Sequence, residues 1–65
     1  MNRLVIPVGT TTIDVYDVDY IDKIYHNEEG LYGIRITFFS GAYRDVWYQY
    51  AGKRDSDFSN ILRYL

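Results

Sequence analysis

Leu31–Tyr50, LYGIRITFFSGAYRDVWYQY, is the stretch whose reading decides the fold. Tyr32, Ile34, Ile36 and Phe38 alternate with Leu31, Gly33, Arg35, Thr37 and Phe39. Val46, Tyr48 and Tyr50 alternate with Asp45, Trp47 and Gln49. Both arms have the period of two expected of a strand, and both are rich in the β-branched and aromatic residues that fit a pleated surface. Ser40-Gly41 lies between them and marks a turn, because glycine tolerates positive φ. The stretch therefore reads as a β-hairpin. Ile34, Ile36, Phe38, Val46 and Tyr48 form its core face. Arg35, Thr37, Phe39, Tyr43, Asp45, Trp47 and Gln49 form the other. A strand face in water is normally polar, so the aromatics Phe39, Tyr43 and Trp47 stand out there.

Working outward, Asn27-Glu28-Glu29-Gly30 reads as a polar turn with Gly30 in a left-handed position. Thr11–Val18 alternates as a strand, with Ile13 and Val15 on one face and Asp14, Tyr16 and Val18 on the other. Between Asp17 and Asp22 the spacing of Val18 and Ile21 is helical and marks a single turn or a bend. From Asp22 to His26 the strand pattern resumes. Residues 1–10 read as an N-terminal arm or edge strand, since Pro7 removes a ladder donor from the apolar run Leu4–Val8. Val8-Gly9-Thr10 is a turn. Ala51–Asp57 reads as a loop, with Asp55 or Ser56 capping a helix over residues 56–65. Phe58, Ile61, Leu62 and Leu65 recur at i, i+3, i+4 and i+7 on one face of that helix. Asp57 near its start and Arg63 near its end suit the helix dipole.

The expected architecture is α+β: one domain over residues 1–65, with a small antiparallel sheet of four or five strands across residues 11–50 and the arm. One C-terminal helix packs on the sheet. The close variant is a strongly curved, barrel-like sheet plugged by the helix. This order of strands and terminal helix resembles small PH-like β-sheet domains. The likeness rests on element order alone, without diagnostic residues, and implies no family.

At 65 residues a single core supplies only about 3–5 kcal/mol net. The chain has no cysteine and one histidine, His26, so neither a disulfide nor a multi-histidine zinc site can supplement it. Self-association or dense aromatic packing is the expected supplement. A net charge of −2 argues against a non-specific nucleic-acid binder, which needs a basic footprint. The N-terminal run is too short for a signal h-region, and no apolar run approaches the roughly 20 residues of a membrane span. A cytoplasmic protein that does not enter the membrane is expected.

The eight tyrosines are the strongest compositional signal. Tyrosine combines large contact area, few rotatable bonds and a hydroxyl that stays hydrated, as recognition surfaces require. Asp17 and Asp19 have the spacing of a calcium loop, but Ile21 stands where a third ligand belongs and the turn glycine is missing. A solvated acidic edge over Asp14, Asp17, Asp19 and Asp22 is the expected state. His26 lacks a visible nucleophile; Ser40, Ser56 and Ser59 lie in turn or helix-start contexts. No catalytic residue, metal ligand or cofactor is therefore assigned. Arg35 beside the outer aromatics could stack with a base or hold a phosphate, and Lys53-Arg54 would stand at the expected helix N-terminus. The plainer reading pairs Arg35 with Asp45 across the hairpin.

The candidate binding residues are thus Arg35, Phe39, Tyr43, Trp47, Lys53 and Arg54. The expected function is a small non-enzymatic binding or inhibitor protein. It would act on another protein through an aromatic surface and form a homo-oligomer, with the economy of phage accessory or anti-defence proteins. The alternative is an oligomeric sponge for a nucleotide-like molecule, using Arg35, Lys53 and Arg54 with the aromatics. A small enzyme or metal-binding domain is the third reading.

Overall fold

A computed structural model describes residues 3–65. The part of the N-terminal arm at residues 1 and 2 lies outside the described residues. The architecture is α+β, in two antiparallel sheets rather than one, with a single C-terminal helix. Strands β1 (Val5–Val8) and β2 (Thr11–Asp14) pair only with each other. Strands β3 (Val18–His26), β4 (Leu31–Phe38) and β5 (Tyr43–Tyr48) form the second sheet, with β4 in the centre. Helix α1 spans Ala51–Leu62.

Neither the continuous four- or five-stranded sheet nor the barrel forms, and the reason lies at Val15–Asp17. Thr11–Val18 is not one strand, because a 3₁₀ turn interrupts it. The Asp14 carboxylate caps the turn, accepting from the amides of Tyr16 (3.1 Å) and Leu4 (3.3 Å). Aspartate is a preferred cap because it satisfies amides that the turn leaves without partners. The chain is thereby redirected. β1 and β2 lie across the three-stranded sheet as a separate layer instead of extending it. Pro7 sits in β1, on an edge strand as its missing donor requires.

A bulge explains the helical spacing near Val18. Val18 pairs with Phe38, yet Tyr20 pairs with Thr37, so Asp19 is one residue in excess on β3. The bulge returns Val18 to the core, contrary to the alternating pattern that placed it with Asp14 and Tyr16, and turns Tyr20 outward. Glycine serves the turns where positive φ is needed: Gly30 closes β3 to β4 at φ +65°, and Gly41 closes β4 to β5 at φ +92°.

The core lies between the layers. Ile6, Val8, Ile13 and Val15 from the first hairpin and turn meet Ile21, Ile34, Ile36, Val46 and Tyr48 of the sheet, with Ile61 from the helix. Phe38, expected in this core, is only partly buried against it. The helix begins five residues before the expected 56–65, so Ala51–Asp57 is helical and not a loop. Tyr50 is its N-cap, without a side-chain capping bond, and neither Asp55 nor Ser56 caps it. Tertiary contacts override the loop-like composition. Arg54 reaches sheet carbonyls, Lys23 pairs with Asp55 at 3.1 Å and Lys53 with Asp57 at 3.0 Å. On the helix face expected to be apolar, Ile61 is buried and Phe58 half-buried, whereas Leu62 and Leu65 are exposed.

Asp57 ties the layers together at mid-helix and is not a first-turn dipole residue. Its carboxylate accepts from the Tyr48 hydroxyl at 2.7 Å, the Gly9 amide at 2.9 Å and the Lys53 ammonium at 3.0 Å. Strand β5, the β1–β2 turn and the helix thus share one acceptor. Burial alone would push the Asp57 carboxyl up; the three donors outweigh it and hold the group below the ordinary carboxylate value. Burial, followed by the bond to Asp57, pushes the Tyr48 phenol above its ordinary value.

Candidate functional site

The helix and the first hairpin cover the face of β3–β4–β5 that carries Ile21, Ile34, Ile36, Val46 and Tyr48. The opposite face carries the cross-strand rows Ile24–Gly33–Trp47, Asp22–Arg35–Asp45 and Tyr20–Thr37–Tyr43. No described element packs over it. Tyr20 is 51 %, Tyr43 61 % and Trp47 39 % exposed.

Each row has its own chemistry. Trp47 lies over Gly33: a Cβ at position 33 would come within 2.7 Å of the indole Cζ3 on one side and 2.7 Å of Ile24 Cγ1 on the other. Only a residue without a side chain lets the indole lie flat across the central strand. The His26 ring meets the indole edge-on, with centroids 5.6 Å apart and planes at 83°. His26 Nδ1 also accepts from the Glu29 amide at 3.3 Å. The one histidine thus joins the β3–β4 turn to the tryptophan.

In the middle row, Arg35 makes the cross-strand pair expected of it. Its Nε and Nη2 donate to the two Asp45 carboxylate oxygens at 2.8 and 2.9 Å. The guanidinium lies 4.5 Å from the centroid of the Tyr43 ring. A planar fork matches a carboxylate and stacks on a ring at the same time, which an ammonium cannot do. The bonds to Asp45, together with the fields of Asp45, Tyr43 and Asp22, raise the Arg35 pKa above its ordinary value against the opposing effect of burial.

The six residues selected from sequence do not converge on one site. Arg35, Tyr43 and Trp47 share the open face. Phe39 lies past the end of β4, in the turn, and is 70 % exposed. It borders an open groove of about 490 Å³ with Thr12, Ile13, Asp14, Asp17, Phe38, Ser40 and Arg44. Lys53 and Arg54 are on the helix, across the sheet from Arg35. The Arg54 side chain is only 12 % exposed: its Nη1 donates to the carbonyls of Ile24 (3.2 Å) and Gly33 (3.1 Å), and its Nε bonds Asp55 at 2.7 Å. Arg54 is a strut between helix and sheet, and Lys53 serves Asp57. Within one chain Arg35 therefore stands apart from Lys53 and Arg54.

Sequence reasoning left out Tyr20, Asp22 and Ile24 as members of the open face. The 3₁₀ turn at Val15–Asp17 and the bulge at Asp19 break the alternation before them, so no continuous period ties these residues to a face. Arg44 was also left out of the groove, where its guanidinium meets Thr11 Oγ1 at 3.3 Å and the Thr12 carbonyl at 3.4 Å. Among the described residues no group of three or more acidic, histidine or cysteine side chains is placed to hold a metal ion. No described helix is long and apolar enough to cross a membrane.

Comparison of the chain with protein-family models, curated proteins and solved structures finds no match in any of the three.

Proposed function

We propose that this is a non-enzymatic binding protein, an inhibitor or accessory factor, that presents the open face of β3–β4–β5 to another protein. The observation that carries the reading is the set of aromatics left exposed on a face that no other part of the fold covers: Trp47, Tyr43 and Tyr20. Such a patch on a small domain is a recognition surface by default. Tryptophan and tyrosine are also the side chains that most often dominate binding energy. The indole is held before any partner arrives, by Gly33 beneath it and His26 at its edge. A held anchor loses little rotamer entropy on binding, which favours affinity.

Self-association through the same face belongs to this proposal, because a second copy is a protein partner. Native mass spectrometry reads the subunit number. Affinity capture compares the natural chain with Trp47→Ala and Tyr43→Ala, after circular dichroism has verified the fold of each variant. The expected result is a complex, with a distinct protein or with a second copy, that either substitution weakens at least tenfold. A complex indifferent to both substitutions overturns the proposal.

A further inference from the structure

The open face repeats one motif on its two outer strands, and only one repeat is filled. On β5, Tyr43 and Asp45 lie two residues apart on one face and hold the Arg35 guanidinium, with the ring beside it and the carboxylate gripping its fork. On β3, Tyr20 and Asp22 lie two residues apart on that same face. β3 and β5 are both antiparallel to β4, so they run in the same direction. Tyr20 and Tyr43 share the Thr37 row, and Asp22 and Asp45 share the Arg35 row. The second Tyr-x-Asp pair is therefore a translated copy of the first, about 10 Å away at two strand spacings.

The copy is empty of its cation. Among the described residues, no ion pair or side-chain hydrogen bond is made by Tyr20 or Asp22, and no cation stacks on the Tyr20 ring. Arg35 cannot serve both pairs, since both of its fork nitrogens are committed to Asp45. Asp22, Asp45 and Arg35 together leave the row with one uncompensated negative charge. Exposed Asp17 and Asp19 stand beside it on β3 and its preceding turn, so the field over this half of the face favours a cation.

We infer that Tyr20 and Asp22 form the receiving site for an arginine side chain of the partner protein, which lies on Tyr20 and is gripped by Asp22 as Arg35 is by Tyr43 and Asp45. This rests on the proposal that the open face binds protein, and it adds the chemistry of the contact: a partner that offers one guanidinium beside an apolar segment placed to meet Trp47. Lysine is disfavoured because an ammonium supplies neither the fork nor the stacking plane.

The test uses the full chain, uniformly 15N-labelled, titrated with N-acetyl-arginine methylamide and separately with the lysine analogue. The arginine probe shifts the resonances of Tyr20 and Asp22, and the lysine probe shifts them less. Asp22→Asn and Tyr20→Ala each weaken the arginine response by about two- to fivefold, the scale of an exposed cation–π or ion-pair contact. Asp22→Glu retains part of it. Equal response to both probes, shifts centred elsewhere, or a response undiminished in Asp22→Asn overturns the inference. The two proposals fail separately. A protein complex lost in Trp47→Ala but indifferent to Asp22→Asn refutes the arginine contact alone. Arginine-specific shifts at Tyr20 and Asp22, beside a complex indifferent to Trp47→Ala and Tyr43→Ala, refute the wider reading alone.

Discussion

Gly33→Ala adds one carbon beneath the indole. That carbon would stand 2.7 Å from Trp47 Cζ3, 2.8 Å from Trp47 Cε3 and 2.7 Å from Ile24 Cγ1. No backbone strain is involved, because Gly33 does not have positive φ. The effect is therefore one of packing. Ile24 is β-branched and stiff, so the relief comes from the indole, which swings off the strand toward solvent. Trp47 is 39 % exposed, which leaves roughly 120 Å² buried of a side chain of about 200 Å². Losing all of that contact would cost about 3 kcal/mol at 25 cal/mol per Å². The indole keeps part of its contact after a small displacement, and alanine returns about 0.4–1 kcal/mol by restricting the unfolded chain. The net expectation is a destabilisation of about 1–2 kcal/mol, within the usual range for overpacking. For a domain of this size that lowers the melting temperature by about 5–15 °C. Trp47 is the only tryptophan in the chain, so its fluorescence reports the displacement without interference. Emission should shift to the red in the native state, and the midpoint of urea unfolding should fall. A variant with unchanged emission and unchanged midpoint refutes the placement of the indole on Gly33, and with it the claim of a held anchor.

Arg54→Ala should cost about 1–3 kcal/mol in urea unfolding, because it removes the charged donor that ties the helix to two sheet carbonyls; Arg54→Lys should restore only part, and unaltered stability in both would refute the strut. Asp57→Asn should destabilise by a similar amount, about 1–3 kcal/mol, read by the same assay. The Asp57 carboxyl is held below its ordinary value of 3.8, so its contribution is full above that value and is lost as pH falls through the lower folded value. The acid limb of the natural chain's stability profile should therefore be flatter in Asp57→Asn, and identical acid limbs would refute the linkage. Tyr48 has the opposite sign: its phenol is held above the ordinary 10.0, so its contribution is present below pH 10 and declines above it. Tyr48→Phe should lose that alkaline decline while being less stable at neutral pH, and a retained decline would assign it to other tyrosines.

The open face was half legible from residues alone. Arg35, Tyr43 and Trp47 could be placed together because alternation along an uninterrupted hairpin assigns every side chain to a face, and Arg35–Asp45 could be paired because the turn at Gly41 sets the register. Tyr20 and Asp22 could not be placed, because the 3₁₀ turn at Val15–Asp17 and the bulge at Asp19 interrupt the period and no distinctive residue announces either break. Lys53 and Arg54 were expected in a loop and lie on the helix, and their partners were hidden for a different reason. A cation that points to solvent and one that reaches sheet carbonyls 21 and 30 residues away look alike in a chain.

Local periodicity and turn chemistry by themselves determined the hairpin around Leu31–Tyr50, the glycine turns, the edge position of Pro7, the α+β class and the hairpin's core residues Ile34, Ile36, Val46 and Tyr48. Those features depend on residues near one another in the chain, where side-chain period and backbone preference act directly. Tertiary structure alone decided that the strands divide into two layers, that the helix starts at Ala51, that Asp57 joins three elements, and that Tyr16, Tyr20 and Tyr25 face solvent. Each of these depends on which distant segment supplies a hydrogen-bond partner or covers a face. That choice is made by the free energy of the assembled layers, which no single segment of the chain carries.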